Sequence, residues 1–275
     1  MATIRKNNAF LNACVALIVG NVVLLGAAFS EMAIAVEVNS DPATSCEVLH
    51  WNRKESAFPY LSVAKPGKYC IDKDYRLSCS EWMGSCGGSG FLEILANDVE
   101  VDLQGHTLSR SGRPIEIFGR GRNITIKNGV IENGYLHITT PGSSGFAVGD
   151  NFTRIENIRI ETGCIHISAA NTTIRNSDIA ASKNCSTPLT IVGRHPTVEK
   201  NRLTTIAGVA DAARYGIDLS EGEGAVVRDN TVLNDGPRKN TGGVVLRDSD
   251  GAQMEDNRVD NFEQEFVRAS VSNGQ

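Results

Sequence analysis

The feature that most restricts how this chain can fold is a repeat. From about residue 91 onward, an alternating segment ending near an asparagine recurs as ITIKNGVI (124–131), TRIENIRI (153–160), TTIRNSDI (172–179), TVEKNRLT (197–204), VVRDNTVL (226–233) and AQMEDNRV (252–259). VDLQGHTL (101–108) fits the same register, with Gly105 where the others have asparagine. The markers Gly105, Asn128, Asn157, Asn176, Asn201, Asn230 and Asn257 are 19 to 29 residues apart. A shorter alternating segment precedes each unit: FLEIL, PIEIF, YLHIT, CIHIS, PLTIV, GIDLS and GVVLR. Helical periodicity is almost absent from these stretches. Short β segments at a period of roughly 20–30 residues, with turns between them, describe a solenoid. Each unit is then one coil, and stacked coils form parallel sheets about 4.8 Å apart. The asparagines would stack as a ladder at a tight turn. A leucine-rich repeat would demand leucine at fixed places, and here Ile, Val and Thr fill the strands. A sandwich would not keep asparagine in register. The expectation is an all-β solenoid of about eight coils.

The residues before the repeat read as an address and a cover. Arg5 and Lys6 precede an apolar run over 11–29, followed by Ala33-Ile34-Ala35. That is the pattern of a secretory signal over 1–35, cut before Val36, with an uncleaved membrane anchor as the rival. The expected location is secreted or periplasmic. Cys14 falls in the signal, which leaves Cys46, Cys70, Cys79, Cys86, Cys164 and Cys185. No His/Cys grouping has structural-zinc spacing, so disulfides are expected. Cys79 and Cys86 flank a short glycine-containing loop and are expected to pair. Cys164 and Cys185 lie 21 residues apart, near one coil, each just before a short segment, so stacking brings them within disulfide reach. By elimination Cys46 pairs with Cys70. Residues 36–90, with Trp51 and Trp82, are expected to form an N-terminal cap and first coil, and 91–275 the remaining coils. An open solenoid end needs such cover.

Composition narrows the partners. Lys+Arg 27 against Asp+Glu 32 gives a net charge of −5, which excludes a chain-wide basic field for nucleic acid. No segment after the signal is apolar enough to cross a membrane, so no membrane partner is expected once the signal is removed. The oligomeric state is not legible.

VDLQGHTL followed by NITIKNGVI and the later [V/I]-x-[D/E/R]-N units resembles the right-handed parallel β-helix of the pectin-lyase-like superfamily. PGKYCIDKDYRLS (66–78) resembles the usual lead-in to a first coil, and the likeness spans about 64–271. It implies the fold and does not select one activity, because the superfamily holds lyases, hydrolases, esterases, epimerases, tailspikes and adhesins. It also implies a substrate groove on the outer face of the short-segment sheet.

In each short segment the apolar flanks should point inward and the residue between them outward. Coil by coil that position is Glu93, Glu116, His137, His166, Thr190, Asp218 and Val245. Tyr135 stands two residues before His137 on the same face, and Thr139, Ser168, Ser220 and Arg247 stand two later in their coils. Polar residues are ordinary on a solvated strand, yet two of the five histidines occupy adjacent registers of one column. His106 is assigned to the fold, His50 to the cap and His195 to a turn. Loops leading into the short segments carry Arg113, Lys183, Arg214, Arg238 and Lys239.

Removing a proton alpha to a carboxylate needs a group that neutralises the carboxylate, a base and an acid. Tyr135, His137 and His166 are the candidate catalytic residues, with His as base and Tyr as acid. Glu116 and Asp218 would flank them, orienting an imidazole or holding a cation, and Arg214, Arg238 and Arg247 would hold substrate carboxylates. A Tyr/His set is similar to that of alginate-type lyases and epimerases. The resemblance therefore implies a polysaccharide lyase or C5-epimerase acting on a uronate glycan. A glycoside hydrolase is one alternative, for which Glu93 with Glu116 is the better carboxylate pair. A non-catalytic glycan-binding or structural envelope β-helix protein is the other. No cofactor is required, and calcium held by Glu116, Asp218 or the Asp248-Ser249-Asp250 turn stays open without a recognised loop spacing. The Arg-x-Pro-x-x-Arg pattern of pectate lyases, the Asp-Pro-His-Asp of alginate epimerases and the Asn-Thr-Asp/Asp-Asp set of polygalacturonases are absent. Asn-x-Ser/Thr occurs at Asn123, Asn151, Asn171 and Asn184; the first three recur at equivalent turns, which repeat architecture explains better than glycosylation.

Overall fold

The computed structural model describes residues 46–49, 61–77, 92–110, 115–139, 152–182, 185, 187–206 and 214–269. The expected signal segment 1–35 lies outside them, as do Cys79 and Cys86 and much of the expected cap. Strands and no helix occur among the described residues. β1 (Glu47–Val48) precedes a coil of β2 (Leu61–Val63), β3 (Gly67–Cys70) and β4 (Tyr75–Leu77). Next come β5 (Leu92–Ile94), β6 (Val99–Asp102) and β7 (Thr107–Arg110), then β8 (Ile115–Gly119), β9 (Ile124–Glu132), β10 (Gly134–Thr139) and β11 (Thr153–Ile160). β12 (Gly163–Ser168), β13 (Thr172–Arg175) and β14 (Asp178–Ala180) lead to β15 (Leu189–Val192), β16 (Thr197–Glu199) and β17 (Arg202–Ile206). β18 (Arg214–Ser220), β19 (Val226–Arg228), β20 (Thr231–Asp235), β21 (Thr241–Arg247), β22 (Gln253–Glu255), β23 (Arg258–Asp260) and β24 (Gln264–Ala269) complete the series.

Every third strand or so returns to the same face. β2, β5, β8, β10, β12, β15, β18, β21 and β24 form a nine-stranded sheet, one strand more than the eight coils expected. A second face runs β1-β3-β6-β9-β11-β13-β16-β19-β22. β4, β7, β14, β17, β20 and β23 make a third, joined to the second through the long β9 and β11. All these strand pairs are parallel, for example Ile165 beside Leu189 and Ile217 beside Val244. Inward residues such as Leu92, Ile117, Leu136, Ile165, Leu189 and Ile217 are fully buried along the axis. Burying one such side chain contributes about 1.5–3 kcal/mol.

The third face was not legible in the repeat, and the asparagine ladder explains why. The markers do not occupy one column. Asn128, Asn157 and Asn176 have φ of 58°, 53° and 51°, and their neighbours in later coils are Lys200, Asp229 and Asp256 at 56°, 56° and 50°. This left-handed residue turns the chain from the second face to the third. Asn201, Asn230 and Asn257 stand one position later, beside Ser177. The result is two ladders. Nδ2 of Asn157 donates to Oδ1 of Asn128 at 3.0 Å, and Nδ2 of Asn128 donates to Asp102 at 3.1 Å. Asn201 donates to Asn230 at 3.0 Å and Asn230 to Asn257 at 2.9 Å. The backbone N–H of Ser177 also donates to Oδ1 of Asn201 at 3.0 Å, and Ser177 Oγ accepts from Ile158 N at 3.2 Å. Asn201 and Asn230 are buried, so each amide satisfies backbone groups that would otherwise cost about 1–3 kcal/mol apiece. Asn123 and Asn171, at φ 54° and 50°, fill another recurrent left-handed corner together with His195 at 53°.

Two disulfides tie successive coils. Cys46–Cys70 and Cys164–Cys185 have Cα separations of 5.7 and 6.2 Å, as the one-coil spacing requires. His106 Nδ1 lies 3.5 Å from Asp74, whose carboxylate also accepts the Thr107 N–H at 2.9 Å, a contact internal to the fold.

The outer side of the second face carries an alternating charge column. Asp102, Lys127, Glu156, Arg175, Glu199, Arg228 and Glu255 are successive partners across it. Arg175 meets Glu156 at 3.0 Å, Arg228 meets Glu199 at 2.6 Å, and Lys127 meets Asp102 at 3.6 Å. In-register stacking would otherwise set like charges side by side.

Candidate functional site

The short-strand face presents a row of rings. Phe118, His137, His166, Thr190, Asp218 and Val245 are successive partners on its outer side. The His137 and His166 rings stand edge to face, 5.0 Å between centroids and 81° between planes. Phe118 lies 5.9 Å from His137 on the other side. Thr139 Oγ1 is 3.0 Å from His137 Nε2. His166 is half-buried, and burial first, then the neighbouring His137, holds its pKa below that of an ordinary histidine. A neutral imidazole with a free lone pair is a base.

The register differs from the alignment of short segments at one coil. Glu93 pairs with Phe118, and Glu116 pairs with Tyr135, so Glu116 leaves the histidine column and joins the neighbouring one. IEIFG fits two registers because a shift of two residues keeps the same side chains inward. In the observed register Gly119 takes an inward place beside Ile138, where an added Cβ would lie 2.8 Å from Ile124. Glu93 and Glu116 are consequently diagonal, and no longer a facing carboxylate pair.

That neighbouring column runs Glu116, Tyr135, Cys164. Glu116 Oε2 is buried and has no hydrogen-bond partner among the described residues. Tyr135 OH lies 3.3 Å from Ser182 Oγ. Ser182 is bridged to Cys185, whose disulfide to Cys164 fixes this loop beside Tyr135. Tyr135 and the two imidazoles thus share one patch of the face.

The flanking charges are arranged differently from expectation. Asp218 lies on β18, two strands beyond His166, and accepts Arg247 Nε and Nη2 at 2.9 and 3.2 Å. Asp218 first and Tyr215 second raise the Arg247 pKa, so this cation is committed within the protein. Arg214 is 3% exposed and donates to the carbonyls of Pro237 at 3.0 Å and Ile206 at 3.5 Å. It braces a corner and presents nothing to the groove. Arg238 donates Nε and Nη2 to Phe262 O at 2.9 and 2.6 Å. Loop carbonyls, whose positions a sequence does not reveal, have drawn both guanidiniums away. Arg120, absent from the expectation, is exposed one residue past β8, in the register of Thr139, and its guanidinium has no partner among the described residues. Its signal in the sequence was its place two residues after Phe118, visible once the register is right.

Among the described residues no group of three or more His, Cys, Asp or Glu is arranged to hold a metal ion. Glu116 and Asp218 sit in different columns four strands apart and do not converge on a calcium site.

Parallel coils, corner ladders and a ring-bearing outer face define a β-solenoid whose coils display side chains in columns. Residues 87–274 match the family described as right handed beta helix region, and the chain belongs to that family. No curated protein and no solved structure matches it.

Proposed function

We propose that this is an exported carbohydrate-active β-helix protein whose short-strand face abstracts the proton alpha to the carboxylate of a uronate glycan, by β-elimination or C5-epimerisation. The observation that carries it is the imidazole pair, 5.0 Å apart, in which His166 is kept neutral beside Tyr135. His166 takes the C5 proton. In elimination the C4–O bond breaks, a C4–C5 double bond forms, and the Tyr135 hydroxyl protonates the leaving oxygen. In epimerisation that bond stays and the Tyr135 hydroxyl delivers its proton to C5 from the side opposite His166. Arg120, unpartnered among the described residues, is a cation able to neutralise the carboxylate, which acidifies the C5 proton. The Glu116 oxygen, unpartnered among the described residues, lies within the Tyr135 column. After product leaves, the proton gained by His166 passes to solvent and the Tyr135 hydroxyl regains one from solvent, which closes the cycle. Two disulfides support an oxidising destination.

The inward turn of Arg214 and Arg238 favours a second reading, in which the face binds glycan without turnover. Incubation with polyuronates and neutral glycans separates these, read by ultraviolet absorbance of unsaturated product, reducing ends and C5 configuration. Unsaturation or inverted C5 is expected. Binding without product makes the protein a binding module, and reducing ends without unsaturation make it a hydrolase.

A further inference from the structure

Three coils toward the C-terminal end, the same sheet holds a cleft of about 420 Å³ lined by Tyr215, Asn240, Gly242, Glu263, Gln264 and Val267. That is within the usual size of a small-molecule site. We propose that it binds an uncharged pyranose unit of the glycan, as a second subsite of the groove. This rests on the carbohydrate reading above and sharpens it: the glycan carries neutral sugars as well as uronates.

Four observations support it. Tyr215 is a fixed aromatic wall, because Arg247 lies 5.0 Å from its ring centre and is itself locked to Asp218. A preset ring offers stacking area with little ordering cost. Gly242 is the floor, where an added Cβ would stand 3.0 Å from Val245, 3.1 Å from Tyr215 and 3.4 Å from Val267. A larger residue there would push Val245 and the Tyr215 and Val267 walls of the cleft out of place. The rim is planar and polar: Glu263 Oε2 accepts the Asn240 N–H at 2.5 Å, which leaves Oε1 open. The side-chain amides of Asn240 and Gln264 have no partner among the described residues. Such groups bind adjacent sugar hydroxyls in pairs. Finally, Glu263 is the sole charged residue lining the cleft among the described residues, and it would repel a uronate carboxylate. From His166 on β12 to Gly242 on β21 is three strand steps, about 14 Å, a distance that several linked pyranoses span.

The test is calorimetric titration of the full chain with short neutral oligosaccharides and with a polyuronate oligomer of matched length. Wild type should bind a neutral oligosaccharide, and Gly242→Val should weaken that binding at least about tenfold. Gln264→Leu, whose exposed side chain does not report on folding, should weaken it too if Gly242→Val fails to fold. The double variant His137→Ala/His166→Ala should bind neutral oligosaccharide as wild type does. No neutral binding, or binding unchanged in the well-folded cleft variants, overturns the proposal even when polyuronate is turned over. Neutral binding without any polyuronate turnover removes the lyase–epimerase reading and leaves the cleft standing.

Discussion

On the second face each charged side chain meets its opposite one coil away, from Asp102 through Arg175 and Glu199 to Glu255. The short-strand face carries Phe118, His137 and His166 at the equivalent depth, with a hydroxyl on either side. Both faces obey one constraint, since parallel stacking sets each residue against its counterpart about 4.8 Å away. The charged face turns that proximity into internal ion pairs and has little left for a ligand. The other uses it to bring two imidazoles together and hold one neutral. It also leaves Glu116 Oε2 and the Arg120 guanidinium without partners among the described residues. A surface that satisfies itself stabilises; a surface left unsatisfied is available to a substrate.

The comparison breaks most sharply at the imidazoles. His166→Ala and His137→Ala should each lower turnover of the responsive glycan at least about a hundredfold, the scale for losing general acid–base help. Thermal unfolding should stay close to wild type, because the two rings stand on the outer side of the sheet. Equal loss of activity and of Tm would make the pair structural.

The charge column should show the opposite behaviour. Glu199→Lys sets three cations in succession, with the introduced lysine between Arg175 and Arg228, at a position only 13% exposed. Tm should fall by a few degrees, the loss should shrink in high salt, and turnover per folded molecule should be unchanged. A salt-independent loss would mean that packing, and no charge alternation, holds that face.

The smallest effect sharpens the role of the pair. His166 should titrate below the ordinary histidine range when followed by NMR of its ring protons, and His137→Ala should move it upward by removing the second of its two causes. The sign follows from the neutral form being favoured in the folded state. His166 adds to stability above the unfolded pKa of about 6.5, and that contribution is lost as pH falls toward its depressed folded value. The acid limb of the activity profile should shift in the same direction as the titration. An unmoved His166 in the His137 variant would show that burial alone sets it.

Much of this was readable from the chain. Recurring short β segments pointed to a parallel solenoid, and coil-length spacing identified Cys164 with Cys185. Alternation put His137 and His166 in one outward column, where they are indeed partners. The fates of Arg214, Arg238 and Arg247 were not readable, because their partners are carbonyls and a carboxylate delivered by other coils. Neither was the cleft at Tyr215, whose floor is the absence of a side chain at Gly242.

Sequence by itself determined the in-and-out parity of each strand, since apolar residues two apart can bury only one face. It could not choose between registers two residues apart, which leave that parity intact. The tertiary structure made the choice: it sets Gly119 beside Ile138, which carries Glu116 to Tyr135 and Phe118 to His137. Backbone conformation made the other. Left-handed corners at Asn176 and Lys200 divided one apparent column of asparagines into two ladders and gave each coil its third face.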